Sequence, residues 1–145
     1  PLAAIVNQLN SSAKKGAAYD AFSTTGGTSK VVFPLIMDRN WGYFTSWSIA
    51  NLGASEITAE SISCVVKGKD INGSPVEMTF KNPDAIASGS GWTLNHQNVI
   101  ANRFVGGAIC TGPVTSQMVG SVNELQNSTI DSFLVYEGFN VNISD

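Results

Sequence analysis

The chain has 145 residues and a formal net charge of −3, with an isoelectric point of about 5.0. Charged residues make up only 13%, about half the usual share, so no basic surface exists for a nucleic-acid backbone. No apolar run reaches membrane-spanning length, and one histidine with two cysteines is too few for a zinc site. Polarity is carried instead by Ser, Thr, Asn and 14 Gly, a balance that fits β-structure with many turns rather than long exposed helices. Pro1 is not an initiator, and we expect the chain to be a processed product or an excerpt of a longer one.

In chain order, residues 2–9 are apolar and read as a strand or a short helix. A later, similar stretch, 118–125, alternates more clearly, and the pair together favours strand. Lys14-Lys15-Gly16 turns the chain into a second short strand at 17–22, and the small, flexible residues 23–30 read as a linker. Residues 31–37 form a strand in which Pro34 demands an edge or a bulge. After the turn at 38–42, residues 44–51 alternate, with Thr45, Trp47, Ile49 and Asn51 on one face. Residues 57–67 read as the longest strand, and Asn72-Gly73 as the tip of a hairpin returning along 76–80. A polar loop, a short strand at 92–94 and a strand at 103–111 with an accommodating Gly106-Gly107 pair precede the final two strands. The expected fold is all-β: an antiparallel β-sandwich, Ig-like, of seven to nine short strands.

The two ends of the chain echo one another. Val6-Asn7-Gln8-Leu9 with Asn10-Ser11, then Tyr19-Asp20-Ala21-Phe22, matches Val122-Asn123-Glu124-Leu125 with Asn127-Ser128, then Tyr136-Glu137-Gly138-Phe139. The copies stand a whole domain apart, too far for a solenoid or a propeller blade. The domain reading is therefore terminal strands of a partial module or donor-strand segment at 1–22, a linker at 23–30 and a sandwich module at 31–145. Chance similarity between two Asn/Ser-rich strand pairs is the competing explanation.

The order of motifs resembles a β-sandwich repeat of large, secreted, tandem-module surface proteins of bacteria such as the Chloroflexi. The residues that carry the resemblance are Pro34-Leu35-Ile36, Asn40-Trp41-Gly42, Thr45, Ile49, Asn51-Leu52-Gly53, Phe104-Val105-Gly106-Gly107-Ala108, Val122-Asn123-Glu124-Leu125 and Tyr136-Glu137-Gly138-Phe139. Ala21 in place of glycine and the two cysteines depart from the pattern. The resemblance implies surface display and tandem architecture, and no activity.

Cys64 and Cys110 lie in apolar strands, as a disulfide or as two buried thiols; an extracellular setting favours the disulfide. Asn123 and Glu124, with Asn7 and Gln8, read as a strand-end hydrogen-bond network, with ligand contact as the alternative. Trp47 belongs in the core, while Trp41 and Trp92, each beside a glycine, are candidate exposed contacts for an interface or a sugar. Asp38, Asp70, Asn72 and Asp84 lie in loops without forming a dense calcium loop; we expect no cofactor, with calcium left open. His96 has no flanking acid, and no nucleophile elbow, P-loop or dinucleotide fingerprint occurs, so we expect no enzyme. Asn10, Asn72, Asn127 and Asn142 begin glycosylation acceptor patterns.

The expectation is thus a structural, extracellular protein of the cell surface, a subunit of a filament, sheath or adhesin-like assembly that polymerises head-to-tail with its own copies. A carbohydrate-binding module with surface glycans as partners is the alternative. The assembly segment is expected to use Leu2, Ile5, Val6, Leu9, Tyr19 and Phe22, because an isolated strand pair is marginal and needs completion. Completion can come from a neighbouring copy, from an adjacent module of a tandem array, or from packing on the chain's own sandwich.

Overall fold

The computed structural model describes residues 4–23, 25–126 and 132–142. Among them it is all-β. A hairpin, β1 (Ile5–Asn10) and β2 (Lys15–Asp20), comes first. Then follow β3 (Lys30–Asp38), β4 (Tyr43–Asn51), β5 (Ser63–Lys69), β6 (Pro75–Lys81), β7 (Gly91–Asn95), β8 (Phe104–Thr111), β9 (Met118–Gln126), β10 (Phe133–Glu137) and β11 (Phe139–Asn140). Eleven strands exceed the expected seven to nine, the excess lying in the two-residue β11 and the separate hairpin.

A four-stranded sheet, β10-β9-β4-β7, packs on a five-stranded sheet, β11-β3-β8-β5-β6, and every pairing is antiparallel. Alternation explains the core. Trp47 and Ile49 of β4 with Met118 and Val122 of β9 face Val31 and Phe33 of β3, Cys64 and Val66 of β5, and Ala108 and Cys110 of β8, all buried in one cluster. Phe33 and Trp47 stack across the two sheets, with ring centroids 5.9 Å apart. The chain changes sheet at Gly138, between β10 and β11, where an added Cβ would collide with Val31 and Phe33.

Three local departures have plain causes. Pro34 cannot donate to a ladder, and the β3–β8 register shifts between Phe33 and Ile36 as a bulge. The strand expected at 57–67 begins only at Ser63; Ile57 instead makes an isolated bridge with Ile86, so the nine-residue β3, β4 and β9 are the longest. Asn82 holds that loop in place: its side chain accepts from Ile62 N (2.8 Å) and donates to Thr58 O and Asp84 O.

Cys64 and Cys110 sit directly opposite one another on β5 and β8 and are joined as a disulfide. Restricting a loop with a sequence separation of 46 stabilises the fold by about 4 kcal/mol in the chain-entropy account.

Candidate assembly site

The hairpin reproduces the final strand pair in structure as well as in sequence. Val6 stands opposite Tyr19 in β1–β2, and Val122 stands opposite Tyr136 in β9–β10. From that pair outward, Asn7, Gln8 and Leu9 occupy the positions of Asn123, Glu124 and Leu125. Opposite them the copies differ: β2 presents Ala18, Ala17 and Gly16 where β10 presents Val135, Leu134 and Phe133.

β2 contacts β10 without joining its ladder, and the hairpin remains a separate two-stranded sheet beside the four-stranded one. The Lys15 ammonium ties it there, donating to Gln126 O and to Ser132 Oγ. Val6, Tyr19 and Phe22 are half-buried, and the Tyr19 and Phe22 rings meet at 6.1 Å. Ile5 and Leu9 are 68% and 78% exposed. Leu2 lies outside the described residues. Within the 23–30 segment, Thr28 exchanges backbone hydrogen bonds with Met118 and Lys30 opens β3.

Trp41 is 71% exposed at the tip of the β3–β4 turn, in left-handed backbone (φ 54°) followed by Gly42 (φ 85°). That geometry suits Asn or Gly, and a bulky residue there is unusual. The Arg103 guanidinium lies 3.7 Å over its ring. Trp92 is less exposed than Trp41. Its place opposite Ile49 turns it inward, where it packs edge-on against Trp47 at 5.7 Å and is half-buried. With Phe80, Ile86 and Leu94 it floors a groove of about 480 Å³ between the β6 and β7 edges, rimmed by Lys81 and Asp84.

A buried polar cluster closes one end of the sandwich. The Asp38 carboxylate is fully buried and accepts from the backbone N–H of Asn98 (2.8 Å), Val99 (3.0 Å) and Ile100 (2.8 Å), and from the Arg39 guanidinium. His96 is also fully buried, its Nδ1 2.8 Å from Thr45 Oγ1 and 2.9 Å from Thr45 O, while its ring lies against Trp47. Burial lowers the imidazole pKa to about 4, against opposing contributions from the Thr45 carbonyl and Asp38. Among the described residues His96 Nε2 and Trp47 Nε1 meet no hydrogen-bond partner. Sequence reading leaves Asp38 as a loop acid and His96 as a loop residue; their partners lie some sixty or fifty positions away, and no local pattern announces them.

Glu124 stands opposite Thr45, and desolvation raises its pKa. Burial likewise raises that of Tyr136, whose hydroxyl donates to Leu35 O and accepts from Leu35 N. Asn123 Oδ1 is buried without a partner among the described residues. Asp70 caps its own turn, accepting from Asn72 N and Ser74 N. Among the described residues no group of three His, Cys, Asp or Glu is placed to hold a metal ion, and no helix is long and apolar enough to cross a membrane. Asn127 lies outside the described residues. No family model, curated protein or solved structure matches this chain.

Proposed function

We propose that the chain is a structural module of an extracellular, surface-associated assembly, joined head-to-tail to its own copies through strand addition by its N-terminal hairpin. Its role on this reading is mechanical and associative, without catalysis. One observation carries the reading: β1–β2 has the register of the module's own closing strand pair, Val6 on Tyr19 as Val122 on Tyr136, yet among the described residues β1 pairs with β2 alone. In β9–β10 the other side of β9 is paired with β4; among the described residues no strand pairs with the corresponding side of β1. A strand pair built to be continued is a template for another chain. Because donor and acceptor surfaces differ, the contact is heterologous and, with a rotation between copies that does not close a ring, repeats into a filament. Negative-stain electron microscopy of the purified chain and of a chain lacking residues 1–22 tests this. Filaments from the full chain and folded monomers from the deletion are expected; filaments from both would overturn it.

A second reading has its own observation. Trp41 presents one open ring face at a turn that costs backbone strain to hold, the other face being covered by Arg103. A glycan-binding module would use such a platform. Binding on a glycan array that disappears with Trp41→Ala would favour it.

A further inference from the structure

Strand addition requires an acceptor edge, and the sheets offer few. In the five-stranded sheet, β11 is two residues long, and β6 begins at Pro75 and carries Glu77 and Lys81, with Glu77 ion-paired to Lys67 at 3.1 Å. Proline and charge are the usual guards of an open edge. In the four-stranded sheet, β10 is flanked by β2. β7 remains, pairing among the described residues only with β4, and its sequence Gly91-Trp92-Thr93-Leu94-Asn95 has neither charge nor proline. β1, Ile5-Val6-Asn7-Gln8-Leu9-Asn10, is equally unguarded. Of the hairpin, β2 is the strand in contact with β10, and β7 is the last strand of the four-stranded sheet counted from β10, so neither bare edge is the one through which the hairpin meets the sheet.

We infer that the free edge of β7, with the Phe80–Trp92 groove beside it, is the acceptor for the free edge of β1 from a second copy of this chain. The inference rests on the head-to-tail reading above and names its contact surface. Antiparallel addition with Val6 opposite Leu94 sets Asn7 opposite Thr93 and Gln8 opposite Trp92. Val6, which corresponds to the core-facing Val122 of β9, then turns toward the groove, as Leu94 and Trp92 do. The same direction carries the hairpin turn, with the exposed Lys14, toward the end of the groove where Lys81 and Asp84 form the rim. No strand of either copy has to leave its place. The competing acceptor is the apolar row on the outer face of the five-stranded sheet, where Phe139, Val32, Ile109 and Val65 stand in register across four strands, with Phe139 63% and Ile109 44% exposed. That row offers no unpaired backbone, and strand addition depends on backbone hydrogen bonds.

Sedimentation velocity of the full chain over a range of concentrations decides between them. Three substitutions block one surface each: Asn7→Pro the donor edge, Thr93→Lys the acceptor edge, and Ile109→Lys the apolar row. Far-ultraviolet circular dichroism and unreactive cysteines in each variant establish that it is folded. The unmodified chain and Ile109→Lys are expected to give an open-ended series of oligomers, and Asn7→Pro and Thr93→Lys to give monomers. An equimolar mixture of those two blocked variants retains one β7 edge and one β1 edge, and is expected to yield dimers and nothing larger. Oligomers persisting in folded Thr93→Lys, or lost in Ile109→Lys, would overturn the β7 acceptor while leaving head-to-tail assembly standing. A monomeric unmodified chain at every concentration would overturn both.

Discussion

The two copies of the Val-Asn-x-Leu strand pair share a register and differ in everything around it. In β9–β10, Val122 is fully buried, Tyr136 reaches across to the Leu35 backbone, and β4 completes the ladder on the far side of β9. In β1–β2, Val6 and Tyr19 are only half-buried, and Ile5 and Leu9 stand in solvent. Opposite the shared residues, β2 carries Gly16, Ala17 and Ala18 where β10 carries Phe133, Leu134 and Val135, and among the described residues no strand stands beside β1 as β4 stands beside β9. The shared register thus survives a change in the residues that face across the pair, whereas burial depends on what covers it. An isolated two-stranded unit buries too little apolar surface to offset its ordering entropy.

Several changes sharpen or break that contrast, the largest acting on the body alone. Replacing Cys64 and Cys110 together by alanine removes the β5–β8 cross-link and is expected to cost about 4 kcal/mol, read as a lowered thermal midpoint, while the hairpin's amide exchange stays as it was. Acidification also acts on the body. The folded chain keeps His96 neutral down to a pKa of about 4, whereas the unfolded chain takes a proton below its ordinary 6.5. Stability is therefore full above pH 6.5 and falls as pH drops toward 4, by about 3 kcal/mol at the limit; His96→Gln should flatten that slope in denaturant titrations at several pH values.

Matched substitutions test the copies directly. Val122→Ala is expected to cost about 2 kcal/mol and Val6→Ala less than about 0.5 kcal/mol in the monomer. Tyr136→Phe removes the bond to Leu35 and should cost about 1 kcal/mol, with Tyr19→Phe near zero. Equal costs at the matched positions, measured by chemical denaturation, would mean that the hairpin is as fully packed as its counterpart.

Much of this architecture is legible in the residues themselves. The alternation of Thr45, Trp47, Ile49 and Asn51 gives the inward face of β4, Pro34 marks the bulge, and Asn72-Gly73 marks its turn, with Gly73 at φ 76°. What is not legible depends on distant partners. Trp92 beside a glycine looks exposed, yet its side is decided by register with Ile49. Asp38 looks like a loop acid, yet it gathers three backbone N–H groups from residues 98–100. Residues 57–62 are apolar enough for a strand, but the Ile57–Ile86 bridge and the Asn82 side chain hold them in a loop instead. The repeat itself is visible in sequence; that its two copies share one register is visible only once the strands are paired.

Hydrogen–deuterium exchange, compared between dilute monomer and concentrated assembly, tests the central claim most directly, because strand addition converts open backbone edges into paired ones. The account predicts that amides of β1 and β7 gain protection together on assembly, while those of β6 do not change. Protection gained at β6 or nowhere on β7, or assembly that leaves β1 as exposed as before, would contradict it.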